Sequence, residues 1–72
     1  MTIGEIVMCS RRLPETGPGG KSDWVFIDTL SRGGLIARLC HAGEQSHWEE
    51  RGTGGILQLR QVIHWAEVKG WD

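Results

Sequence analysis

Eleven glycines punctuate this chain of 72 residues, and the clusters TGPGG, SRGG, HAGEQ and RGTGG leave only short pieces between them. Glycine supplies the positive φ values that tight turns need, so the clusters read as turns. The pieces they separate run about five to ten residues, too short for most globular helices and the right length for strands. The spacing predicts a mainly β fold: one domain over residues 1–72, an antiparallel meander or half-open barrel of about five strands.

The first piece, TIGEIVMCS, is apolar at Ile3, Ile6, Val7 and Met8, with Gly4 marking a bulge. It leads into RRLPETGPGG, where Pro14 and Pro18 forbid regular pairing, so residues 14–22 read as a mobile loop. DWVFIDTL, apolar from Trp24 to Ile27, reads as a strand covered on both faces. GLIARLCH follows SRGG closely enough to form a hairpin with it, and alternates Leu35, Ala37 and Leu39 with Ile36, Arg38 and Cys40. The fourth piece is the short SHWEE around Trp48.

The fifth piece, ILQLRQVIHW, carries the clearest period. Leu57, Leu59, Ile63 and Trp65 fall on one face with Gln61 breaking the row, while Gln58, Arg60 and His64 fall on the other with Ile56 and Val62. That alternation sends Trp65 into the core and His64 outward. Helical spacing is also present at Ile56, Leu59, Ile63 and Ala66, which keeps an α+β alternative open with residues 56–67 helical. The β-branched Ile56, Val62 and Ile63 and the weak N-cap at Gly55 favour the strand.

A chain this small buries only about 60% of its unfolded surface, so each large side chain matters. Four tryptophans and a single phenylalanine make Trp the main aromatic packing material. The expected core is Ile6, Val25, Ile27, Leu35, Leu39, Trp48, Leu57, Leu59, Ile63 and Trp65. Trp71, one residue from the end of the sequence, either folds back as a plug or stands exposed for a partner.

Eight basic and nine acidic residues are interspersed, giving a net charge of −1. That balance argues against a nucleic-acid binder, which needs a basic face to displace counterions, and against a polybasic membrane-surface protein. No apolar run approaches a membrane span and no signal-type apolar segment follows Met1, so the expected location is the cytoplasm. Cys9 and Cys40 fit that compartment as two reduced, buried thiols, with one bridge between them as the minority alternative.

Arg12-Leu13-Pro14-Glu15 followed by Gly17, then Val25 and Ile27, then Trp48, then Val62-Ile63-His64-Trp65, form a pattern that resembles a family of small phage and prophage domains of unknown function. Those domains run from an apolar strand into R-L-P-E-x-G and close on V-x-H-W. The resemblance spans Ile3 to Val68. It departs in lacking a tryptophan ahead of the R-L-P segment, and in reading Ala66-Glu67-Val68-Lys69 where the family tends to place Leu-Pro. It carries over no activity. What it implies is a phage-type accessory protein working in a bacterial cytoplasm.

Motif chemistry is sparse. Cys40, His41 and His47 lie close in sequence, with Cys9 and His64 as further ligand types, but the adjacent Cys40 and His41 point to opposite faces of a strand and do not share an ion easily. No metal or other cofactor is expected. A Cys–His nucleophile pair is conceivable by residue type, yet strand cysteines in small domains are usually inert packing residues, and so short a chain has little material for a pocket and oxyanion hole. No catalytic residue is expected. TGPGGKS has Glu15 where a phosphate loop needs its first glycine.

Charge patterning points elsewhere. Glu49 and Glu50 flank Trp48 beside a turn, and Arg38, Arg60 and His64 are placed to line one solvent face, with Trp71 as the terminal aromatic. Trp and Arg are over-represented in interface hot spots, so these six residues are the expected partner-binding set. The expected function is non-enzymatic binding of a protein partner, with inhibition of a host defence complex such as CRISPR-Cas as one version. The alternatives are a small nucleic-acid-binding or zinc-stabilised module and a virion component. Edge strands of an open sheet also favour pairing with another copy, so a homodimer belongs among the expected assemblies.

Overall fold

The structure, a computed structural model, describes residues 1–70. The expectations for Trp71 lie outside the described residues. Strands β1 (Thr2–Ile3), β2 (Val7–Met8), β3 (Val25–Thr29), β4 (Gly33–Ala42), β5 (Gln45–Glu50), β6 (Ile56–Gln58) and β7 (Val62–Lys69) form one antiparallel sheet. Its order is β1-β7-β3-β4-β5-β6, with β2 also paired to β7. The fold is mainly β, and the sheet does not close into a barrel. Seven strands stand in place of five pieces because the first and fifth pieces are each broken in two.

The first break is a bulge. Ile3 pairs with Val68 and Val7 with Trp65, so four steps along β1–β2 face three along β7. The extra residue falls in Gly4-Glu5-Ile6, and the strand bends there as bulges do. Ile6, expected in the core, is 52% exposed for this reason.

The second break is a single 3-10 turn, Leu59–Gln61, between β6 and β7. The Gln61 side-chain oxygen accepts the Gln58 backbone N–H at 2.7 Å and closes that turn. The helical alternative for 56–67 is therefore not adopted: β6 and β7 are strands on either side, where Ile56, Val62 and Ile63 suit a pleated backbone. Leu59, expected in the core, sits on the exposed turn. A register shift follows at once, because Thr29 pairs with Val62 and Asp28 with His64, leaving Ile63 unopposed and half-buried. Val62 takes the interior place that Ile63 was expected to fill.

The interior face collects Val25, Ile27, Ala37, Leu39, Trp48, Leu57, Val62 and Trp65. Ile27, Leu39 and Trp48 are fully buried, each worth roughly 1.5–3 kcal/mol on aliphatic burial alone and more for the indole. Leu35, expected there, is half-buried and packs at the margin with Val7, Cys9 and Leu13. The Trp48 indole N–H has no acceptor among the described residues.

Turn chemistry fixes the meander. Gly43 and Glu44 connect β4 to β5 as a two-residue loop; Gly43 has φ +65° and no described non-glycine residue has positive φ, the pattern of a type II′ turn. In the β3–β4 turn the Thr29 hydroxyl accepts the Arg32 N–H at 2.9 Å and donates to the Gly33 carbonyl at 2.8 Å. The loop over 14–22 meets β4 through its last three residues. Ser22 exchanges hydrogen bonds with Leu39 through its N–H and its Oγ, both at 2.8 Å, and His41 N–H donates to Gly20 at 2.7 Å. Cys9 packs against the interior while Cys40 is buried on the opposite face, so the two free thiols are separated by the sheet.

Candidate functional site

Strand alternation puts Phe26, Ile36, Arg38, Glu49 and His64 on the face opposite the core. Cross-strand register sets them out in rows. One row runs Arg38, Glu49, Ile56 across β4, β5 and β6. The next runs Ala66, Phe26, Ile36 across β7, β3 and β4. A third runs Met8, His64, Asp28, Gly34 from β2 to β4. On this face Ala66 and Cys40 are buried, while Trp24, Phe26, Ile36, Arg38 and Glu49 are half-buried.

Its centre is aromatic and cationic. Trp24, one residue ahead of β3, carries the Arg38 guanidinium 4.5 Å from its ring centroid and that of Arg51 at 5.8 Å. Arg38 Nε–H donates to Glu49 at 2.6 Å, and both side chains remain about three-tenths exposed. That hydrogen bond holds the Glu49 carboxyl below its ordinary pKa, partial burial opposes it, and the charges of Arg38, Lys21 and His47 add to the lowering. Beside this cluster the edge of the Phe26 ring meets Gly34, whose hydrogen stands where a Cβ would come within 2.7 Å of two ring carbons. A glycine in the SRGG turn cluster therefore also serves as a seat for an aromatic ring.

The expected partner-binding residues divide. Arg38 and Glu49 meet on this face. His64 shares it, with Nδ1 3.5 Å from an Asp28 oxygen, an ion pair when the imidazole is protonated. Glu50 points the other way: it is held by Arg32 through two contacts of 2.8 and 3.3 Å, and its side chain is only 12% exposed. Arg60 lies on the exposed 3-10 turn, off the sheet. Sequence reading missed Trp24, Phe26 and Arg51. The alternation of DWVFIDTL offered the signal, since Trp24 and Phe26 share a parity opposite to that of the core residues Val25 and Ile27.

A half-open cleft of about 440 Å³ adjoins this cluster at the start of β3 and the end of β7, lined by Trp24 together with Arg12, Asp23, Trp65, Glu67 and Lys69 among others. Its charges are mixed, and no cysteine or histidine lines it. Among the described residues no group of three or more His, Cys, Asp or Glu side chains is placed to hold a metal ion. Cys40 and His47 are cross-strand neighbours, but the thiol is buried. Burial pushes the Cys9 thiol up, away from a reactive thiolate. The TGPGGKS loop bridges to β4 through Lys21 and Cys40 and leads into β3, with no helix N-terminus to meet a phosphate. Among the described residues no helix is long and apolar enough to cross a membrane.

No family model matches the chain, and no curated protein or solved structure matches it either, so the site rests on its own geometry.

Proposed function

We propose that this chain is a non-catalytic binding module that docks a protein partner on the outer face of its sheet. The observation that carries this reading is Trp24, half-buried opposite the core beside Phe26, with the guanidinium groups of Arg38 and Arg51 over its ring. A solvated sheet face ordinarily alternates polar residues outward; this one spends two of the chain's five aromatic side chains there. Pre-ordered Trp and Arg lose little side-chain entropy on binding, which is why such clusters make hot spots. The near-neutral charge of the chain supports a shaped protein contact over an electrostatic nucleic-acid contact.

The setting we propose, a phage-type accessory protein in the bacterial cytoplasm, draws on the sequence resemblance. A host defence complex such as CRISPR-Cas is the first partner class to try. The test is capture from bacterial lysate with wild type, Trp24→Ala, Arg38→Ala and, as an off-face control, Arg60→Ala, each checked for folding by circular dichroism. A protein complex retained by wild type and Arg60→Ala, and lost by the two face variants, supports the reading. Retention indifferent to Trp24 and Arg38 sinks it. Capture of nucleic acid that falls steeply with salt replaces it with the nucleic-acid alternative.

A further inference from the structure

The sheet ends on β1 and β2, whose outer edge meets no other strand among the described residues. Along it Ile3, Ile6 and Met8 are exposed by 44%, 52% and 46%. A groove of about 400 Å³ runs beside them, lined by Glu5, Ile6, Val7, Met8, Arg11 and Arg12. Arg12 is engaged with Trp65. Glu5 and Arg11 are exposed, and neither has an ion-pair partner among the described residues.

The edge offers little backbone to a foreign strand. The bulge at Gly4-Glu5-Ile6 interrupts it, and the Met8 carbonyl already accepts the N–H groups of Arg11 and Arg12 at 3.0 and 3.2 Å. Strand addition draws its affinity from main-chain bonds, and here the ladder would stop after β2. What the edge does offer is charge of both signs beside apolar surface. Glu5 and Arg11, an exposed acid and an exposed base, line the same groove as the exposed Ile6 and Met8. A two-fold axis through such a patch sets the acid of each copy against the base of the other, the self-complementarity an isologous interface requires.

We infer that the β1–β2 edge is a self-association surface and that its occupant is a second copy of this chain, packed about a two-fold axis near Met8. Ile6 and Met8 of each copy enter the groove of the other. Glu5 of each copy pairs with Arg11 of the other, twice per dimer. The surface centres on the sheet's edge and shares with the outer face the row of Met8 and His64, but none of the residues Trp24, Arg38, Glu49 and Arg51 on which the docking role rests.

Sedimentation equilibrium of the full chain tests this, with circular dichroism and tryptophan emission confirming that each variant is folded. Wild type sediments as a concentration-dependent dimer, and Met8→Lys shifts it to monomer. Glu5→Arg and Arg11→Glu each raise the dimer dissociation constant about tenfold by creating like-charge contacts, and the combined swap returns it to within about threefold of wild type. A chain monomeric up to about 1 mM overturns the inference. So does a dimer indifferent to Met8→Lys, or one that the single swaps weaken and the double swap does not restore.

Discussion

The Trp65 indole N–H donates to the Arg12 carbonyl at 2.7 Å, and the guanidinium of the same Arg12 lies 5.3 Å from the Trp65 ring centroid. One residue thus closes both the edge and the face of the other, across 53 positions of sequence. Pro14, buried two positions on, holds the segment against the domain. Both residues line the half-open cleft at the start of β3.

Trp65 and Trp48 make a contrast that mutation can read. Trp65→Phe removes a donor that has an acceptor, whereas Trp48→Phe removes a donor that has none among the described residues. The first loses a hydrogen bond worth about 1 kcal/mol on top of ring volume; the second is relieved of an unmet polar group costing about 1–3 kcal/mol. Urea denaturation is expected to show Trp65→Phe as the more damaging by about 2–4 kcal/mol. Equal losses at the two sites, or a larger loss at Trp48, refute this. Either residue changed to Ala costs about 3–5 kcal/mol, much of what a domain this size has.

Gly34→Ala places a methyl group against the Phe26 ring at a position where the backbone itself would accept alanine, since its φ is not positive. The expected loss is about 1–3 kcal/mol, typical of overpacking. In the background of Phe26→Ala the same substitution becomes nearly neutral. A double-mutant cycle measures this, and additivity of the two changes would contradict the seat assigned to Gly34.

Glu49 links the outer face to pH. Its carboxylate is favoured in the folded chain, chiefly by the Arg38 hydrogen bond, so the folded pKa lies below the unfolded one. Stability from this source is present above the unfolded value of about 4.3 and is lost as pH falls through the folded value. Glu49→Gln removes it, so the midpoint of thermal unfolding should differ between variant and wild type at neutral pH and converge in acid. A difference that persists unchanged at the acid end argues against this origin.

The two thiols are expected to remain free. Cys9 packs on the core face, where burial raises its pKa, and Cys40 is buried on the other face. Iodoacetamide should label both at least about tenfold faster in urea than in buffer, because labelling requires both access and thiolate. Mass analysis after mild oxidation should find monomers with no internal bridge. A native intramolecular disulfide would contradict the placement of the two residues on opposite faces.

Much of the fold is legible along the chain. Glycine clusters dictate the turns wherever a positive φ is compulsory, as at Gly43, and short apolar runs of β-branched residues between them have no good alternative to pairing as strands. Val25, Ile27, Leu39, Trp48, Leu57 and Trp65 are core because their parity and size leave little choice. The site was less legible. Arg38, Glu49 and His64 could be assigned to an outward face by alternation, but Trp24 and Phe26 were assigned to burial on hydrophobicity alone, and nothing local reports that both stay half-buried.

The last strand shows where local and tertiary information part. Counting alternate residues from Leu57 puts Leu59, Ile63 and Trp65 inside, and only Trp65 among those three is in the core. The 3-10 turn at Leu59–Gln61 moves the inward parity onto Val62, and the bulge at Ile63 moves it back by the time the chain reaches Trp65. Each shift turns every following side chain to the other face, and two in succession cancel. Composition and turn chemistry, which act over a few residues, determined that this chain would be an antiparallel β domain. Where the phase slips, which aromatics stay outside, and that Arg12 meets Trp65 were decided only by tertiary structure, because each depends on what a distant strand places opposite.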